Sequence, residues 1–300
     1  MNKVKRMSNR AKNQHYIPQF YLRNFRDKNG KIAVYYKEKN KLIETEKAKN
    51  FATERSFYDS DQEELKLLLK DWIDRFPDFN SQIDFSLNQY IEYYLGNMED
   101  AVAKLFKKIN ENPKELFKIE NKLLIINFIY TLAYRTSPYR STIENKCKEY
   151  LSYLKNQKCD EKECNKKLEE IGMSKGARYY QLRKIFSIPN LLHFGKFFIF
   201  NYIWYFANVE GDLGLITSDN PAFGFDIKLY DICFPISPKN ALIFKSRFTI
   251  PFNIDLSNDS LISISSEEVV DYNRINLCNA NPYKFAFGTC EDIKSFFHLE

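Results

Sequence analysis

The chain has 300 residues, a net charge of +6 and many aromatics, with 26 Phe and 20 Tyr against only nine Gly. This composition excludes a disordered chain, and the scarcity of Gly argues against a fold built on several Gly-rich phosphate loops. Residues 1–50 hold 14 Lys and Arg against four acids, so positive charge gathers at the N-terminal end, where it suits a polyanion such as nucleic acid.

Residues 1–12 read as a solvated basic tail without fixed structure. Next comes "NQHYIPQFYLRNF", Asn13 to Phe25, which contains one of only three histidines. Asp27 to Lys31, "DKNGK", is a turn centred on Asn29-Gly30. The β-branched and aromatic run "KIAVYYKE" and the following "KLIETEK" predict a small β-element over residues 31–58. The pattern turns helical near residue 61. "DQEELKLLLKDWIDRF" has an acidic first turn and stops before Pro77. Ile91, Leu95, Met98, Val102 and Leu105 recur at three- and four-residue steps and predict an amphipathic helix. A long apolar helix then runs to the residues before Pro138. Residues 141–176 predict a charged, exposed helical hairpin, and "LLHFGKFFIFNYIWYFANV" a buried apolar helix. After "EGDLG" short β-branched runs broken by Asn, Pro and Ser predict strands, with one helix over 266–280. The expected fold is α+β: a mostly helical middle region, 61–210, packed against a β-sheet formed by N-terminal and C-terminal strands. Residues 13–300 are expected to form a single domain.

Six scattered cysteines form no CxxC pair. They read as free thiols in a reducing compartment, and no zinc motif accompanies them. The N-terminus lacks an apolar signal core, and the longest apolar run is too short to span a bilayer. A cytoplasmic protein without a membrane partner is expected.

His15 is the first candidate catalytic residue, because an imidazole can give or take a proton near neutral pH. Arg23 nearby can grip a phosphate through paired hydrogen bonds, and Lys12 adds charge for the same polyanion. The bland alternative is that His15 bonds the backbone at the bend set by Pro18. The second place is "LITSDNPAF", Leu215 to Phe223. Asp219 can orient an imidazole, hold a metal or take a proton, Asn220 can read an amide-like edge, and Ser218 can contact substrate. Here the alternative is an Asx-turn before Pro221. "NPAF" also invites comparison with the Asn-Pro-Pro-Phe motif of amino-directed methyltransferases. It has Ala222 in place of the second proline, and the chain lacks their Gly-rich cofactor loop. In "YRTSPYR", Arg135 and Arg140 can converge on an anion or merely suit a helix C-terminus. Glu92 and Glu99, seven apart, share a helix face as a carboxylate pair or as a solvated edge. No Gly-x-Ser-x-Gly elbow, Walker loop or His-Glu-x-x-His helix is present.

Taken in order, "QHYIPQFYLRNF", "YRTSPYR", "LITSDNPAF" and "FPISPKNAL" resemble the DUF4238 family, from residue 13 to about 290. The resemblance implies a fold and no activity, and it draws attention to His15, Arg135, Asp219 and Asn220. The leading expectation is an enzyme acting on nucleic acid or a nucleotide by phosphodiester hydrolysis or transfer. A nuclease in phage defence, or a toxin, would be one form of it. Its catalytic residues would be His15, Asp219 and Asn220, and its substrate-binding residues Arg23, Arg135, Ser218 and Lys12. The cofactor is unknown, a divalent metal being compatible with the chemistry. The rivals are a non-catalytic nucleic-acid-binding module and a scaffold that docks a protein partner through residues 140–175.

Overall fold

The computed structural model describes residues 13–80, 83, 85, 89–222, 231–248, 260–278 and 281–299. The basic tail, Lys12 included, lies outside them.

The chain opens with β1 (Asn13–His15), which pairs antiparallel with β4 (Thr53–Arg55), His15 facing Thr53. Pro18 ends the extended run and starts α1 (Gln19–Arg23), which sends Tyr21 and Leu22 into the core. The predicted Asn29-Gly30 turn is present. Asp27 accepts from the Asn29 and Lys31 amides, and Gly30 takes a left-handed conformation with φ +77. The turn leads into β2 (Ile32–Tyr36) and its antiparallel neighbour β3 (Lys41–Thr45).

Helices follow. Asp61 caps α2 (Gln62–Leu68), after which come α3 (Lys70–Arg75) and α4 (Pro77–Asn80). The stripe read in the sequence is the buried face of α5 (Tyr90–Glu111): Ile91, Leu95, Met98, Val102 and Leu105 all point inward. Helix α6 (Ile119–Arg135) stops where Thr136 caps α7 (Ser137–Asn156), with Pro138 in the first turn of the new helix. Proline fits there because its missing N–H would have no partner in any case. Helices α7 and α8 (Glu161–Glu170) form the charged hairpin and bury little beyond Ile143, Leu154, Cys164 and Leu168. They are followed by α9 (Gly176–Ile185) and α10 (Ile188–Asn201).

The helix expected from Asp61 to before Pro77 is broken at Leu69 into α2 and α3, and a larger difference lies further on. The apolar run read as one helix is helical only to Asn201, and Tyr202–Val209 is a strand, β5. Hydrogen-bonded neighbours flank it on both edges, β8 (Asn240–Ser246) antiparallel and β9 (Ser260–Ile264) parallel. A central strand covered on both faces loses its alternation and becomes a continuous apolar run, so periodicity cannot separate it from a buried helix.

The C-terminal part adds β6 (Thr217–Ser218), β7 (Asp231–Ser237), α11 (Ser266–Asn276), β10 (Phe285–Gly288) and α12 (Cys290–Phe297). A capping box of Ser265 and Glu268 starts α11. Two four-stranded sheets result, one in the order β3-β2-β10-β6 and the other β7-β8-β5-β9. The first unites N-terminal and C-terminal strands, as expected for this α+β chain. The second is wholly C-terminal. The main core joins Ile17, Tyr21, Phe25 and Val34 to α5, α6, α10 and Phe287 of β10. Among the described residues, no helix is long and apolar enough to cross a membrane.

Candidate functional site

The aromatic N-terminal segment and the Ser-Asp-Asn-Pro segment meet, through two tyrosines. Tyr21 is buried in α1. Its hydroxyl donates to the Pro235 carbonyl at 2.8 Å and lies 2.8 Å from Thr217 Oγ1. Tyr16 donates to Asp219 Oδ2 at 3.3 Å, while Oδ1 accepts from the Lys284 and Phe285 amides at 2.8 and 3.0 Å. Asp219 is thus buried with both oxygens engaged. Burial pushes its pKa up to about 6, against the pull of those two amides and Tyr16. Ser218 Oγ accepts from the Asn220 amide, and Asn220 Nδ2 donates to Asn281 Oδ1 at 2.7 Å.

Arg135 ends α6 inside the protein and is almost wholly buried. Nε donates to Tyr58 Oη at 3.1 Å, Nη1 to Glu99 at 2.7 Å and Nη2 to the His15 carbonyl at 2.7 Å. An unpaired guanidinium at this depth would be prohibitive, and full pairing makes it a tether between α6, α5 and β1. The knot extends through Gln14, which donates to Asp59 at 2.8 Å and accepts from the Tyr58 amide. Glu92 lies on the same helix as Glu99. Its pKa rises to about 7, chiefly through burial and further through Glu99 and Asp59, although Arg135 opposes the shift. Arg140 points elsewhere. It covers the Phe57 ring at 3.4 Å and donates to Gln181 and the Phe57 carbonyl. The two arginines of "YRTSPYR" therefore do not converge on one anion.

The His15 ring lies away from this knot. It is half-buried, with Nε2 3.0 Å from the Lys49 carbonyl. A carbonyl only accepts, so in the neutral ring Nε2 carries the proton and Nδ1 holds the lone pair. No described residue hydrogen-bonds Nδ1. Lys49, whose carbonyl holds the ring, is exposed, as is Arg55, two residues along β4 from Thr53, the strand partner of His15. Arg23 is exposed in the last turn of α1.

Of the residues singled out in the sequence, Ser218 and Asn220 are thus linked in one buried set with Asn281, and adjacent Asp219 is bonded to Tyr16 and two amides. Arg135 belongs to a separate network, and Arg23 and the half-buried His15 ring lie toward the surface. Tyr16, one position along from the histidine, is the side chain that reaches Asp219. Its own hydroxyl is pushed upward by burial and by the neighbouring Asp219 charge. No described residues form a group of three His, Cys, Asp or Glu able to hold a metal ion. Both Asp219 oxygens are already hydrogen-bonded, and it belongs to no such group. A cavity of about 550 Å³ among α2, α9 and the start of α10 is lined by none of these residues.

Residues 13–291 match the profile of a family described as a protein of unknown function, DUF4238. The chain belongs to that family. No curated protein matches it, and no solved structure does. The segments that carry the DUF4238 resemblance are the ones this fold ties together: Tyr16 and Tyr21 from the first reach Asp219 and Thr217 of the third, and Arg135 of the second holds the His15 carbonyl. Tyr16 and Tyr58 have no signal of their own in the sequence. Alternation along β1 and on to Tyr16, whose amide continues the pairing by donating to the Ala52 carbonyl, puts Gln14 and Tyr16 on one side and His15 on the other, a pattern able to separate Tyr16 from its neighbour.

Proposed function

We propose that this protein acts on nucleic acid or a nucleotide, as an enzyme of phosphodiester hydrolysis or transfer. The observation that carries this reading is the His15 ring, half-buried and held through one nitrogen, with no hydrogen bond to the other nitrogen among the described residues. In hydrolysis, Nδ1 takes a proton from the attacking water as its oxygen bonds to phosphorus. The bond to the leaving oxygen breaks, and that oxygen receives the proton back. Lys49 and Arg55 offset charge building on the phosphoryl oxygens. Asp219 is a positioning residue here: it fixes Tyr16, and with it the backbone that presents His15. The six free thiols suit a reducing, cytoplasmic setting.

A second reading, a nucleic-acid-binding module without catalysis, is favoured by the separate engagement of Asp219 with Tyr16 and two amides and of Arg135 with Glu99, Tyr58 and the His15 carbonyl, which leaves neither with a group turned to a substrate. The two separate on one experiment. Labelled RNA and DNA oligonucleotides are incubated with the wild-type chain, with His15→Ala and with Lys49→Glu. For an enzyme, His15→Ala abolishes cleavage and leaves binding intact, while Lys49→Glu weakens both. Salt-dependent binding without cleavage in the wild type establishes the module instead. Absence of both sinks the two readings together and leaves the exposed α7–α8 hairpin, a surface for a protein partner, as the place to look.

A further inference from the structure

The face of β2 and β10 that lines the core does not end at the core. Val34 and Phe287 are paired partners in the two strands, and both are buried. Two residues along, on the same face, stand the next partners, Tyr36 and Phe285, and both are partly exposed. Their ring centroids are 5.0 Å apart, and Phe285 continues to Phe51 at 5.6 Å. Phe51 is two residues beyond Lys49, whose carbonyl anchors His15. A row of three rings therefore runs from the two central strands of this sheet to the segment whose Lys49 carbonyl holds the imidazole.

Cations accompany the row. The Lys39 ammonium lies 4.8 Å from the Tyr36 ring centre, and that of Lys284 is 5.5 Å from both Tyr36 and Phe285. Lys41 is the cross-strand partner of Tyr36, so it projects from the same face. An acid also stands there: Glu38 accepts from the Tyr36 hydroxyl at 3.3 Å. The rings are inclined to one another, by 51° between Tyr36 and Phe285 and 80° between Phe285 and Phe51, so each offers a face of its own rather than a common plane. Partly exposed and flanked by lysines, they suit unpaired bases joined by phosphates. A duplex keeps its bases stacked inside and offers such a row nothing to stack on.

We propose that Tyr36, Phe285 and Phe51 are a stacking platform for single-stranded nucleic acid, with Lys39, Lys41 and Lys284 tracking its phosphates toward His15. This rests on the nucleic-acid reading above and narrows its substrate to unpaired strands. On binding, bases take the ring faces and the ammonium groups turn to phosphate.

The test uses fluorescence anisotropy of a labelled thymidine oligonucleotide of about 12 nucleotides, and of a duplex of the same length, with the full chain. Tight binding of the single strand and weak binding of the duplex are expected. Tyr36→Ala lowers single-strand affinity about tenfold, the worth of one stacked base. Lys39→Glu combined with Lys284→Glu lowers the slope of log affinity against log salt by about 2. All three sites are surface positions, and circular dichroism checks the fold of each variant. If single strand and duplex bind alike and Tyr36→Ala changes neither, the platform is overturned while the nucleic-acid reading stands. If neither probe binds at low salt, both fall.

Discussion

The buried knot around Arg135 and the open rim around the His15 ring meet at one residue, and they use charge in opposite ways. His15 gives its backbone carbonyl to the knot and its side chain to the rim. Inside, each guanidinium nitrogen of Arg135 has a dedicated partner, so its charge serves to hold three elements at fixed distances. Outside, Lys49, Arg55 and the lysines near Tyr36 stand in water, where they gain little from the fold and remain available to a ligand. Substitutions in the knot should therefore register as lost stability, and substitutions in the rim as lost binding or turnover.

The sharpest break is Arg135→Met. It strands Glu99 beside Glu92 and leaves Tyr58 and the His15 carbonyl short of a donor. Removing one partner from a buried charged network costs about 3–5 kcal/mol, readable as a fall in the urea midpoint. A loss below about 1 kcal/mol would mean that Arg135 is no tether and is free to serve a ligand.

Next is the pH dependence of stability. The Asp219 carboxyl ordinarily titrates at 3.8 and does so at about 6 in the fold. Between those values the unfolded chain has given up a proton that the folded chain keeps, so raising the pH favours unfolding. Stability is greatest below about pH 4, falls by about 3 kcal/mol as the pH approaches 6, and then levels with respect to this group. Glu92, raised to about 7, carries part of the decline on toward neutrality. Asp219→Asn removes the lower part of the slope and Glu92→Gln the upper part. Equilibrium unfolding of the three proteins from pH 4 to 8 checks both assignments, and an unchanged slope in Asp219→Asn would contradict the first.

Tyr21→Phe is milder. It removes the hydroxyl that links α1 to Thr217 and Pro235 while keeping the ring. The Pro235 carbonyl loses its donor in a closed space, which costs about 1–3 kcal/mol. Thermal unfolding of the variant measures it.

These differences also mark what the sequence could and could not disclose. The stripe on α5, the Asp27–Lys31 turn and the break before Pro138 are local patterns, written within a few residues of where they act, and all were legible. The split of residues 188–209 into helix and strand was not, because the strand's partners lie tens of residues further along the chain. The polar residues fared likewise. Arg135 and Asp219 stood out in the sequence by their settings. That one faces Glu99 and the other Tyr16 depends on contacts spanning 36 and 203 positions. An arginine reads as an anion site until its internal carboxylate is known, and an aspartate reads as a catalytic partner until its oxygens are filled. His15 is the reverse case, since among the described residues its ring is bonded to a carbonyl alone, which leaves the role its residue type suggested still to be tested.

The smallest expected effect is on stability in His15→Ala, and it bears most directly on the difference between knot and rim. The substitution deletes one half-exposed bond to Lys49 and leaves the His15 carbonyl, which the knot uses, in place. Water can replace the lost donor at Lys49, so the cost in unfolding free energy stays below about 1 kcal/mol. A drop of several kcal/mol would show that the ring belongs to the scaffold, and its assignment as a proton-transfer group would lose its main support. A stable variant that binds oligonucleotide normally and turns none over would separate the two uses of this residue, its backbone holding the fold and its ring free for chemistry.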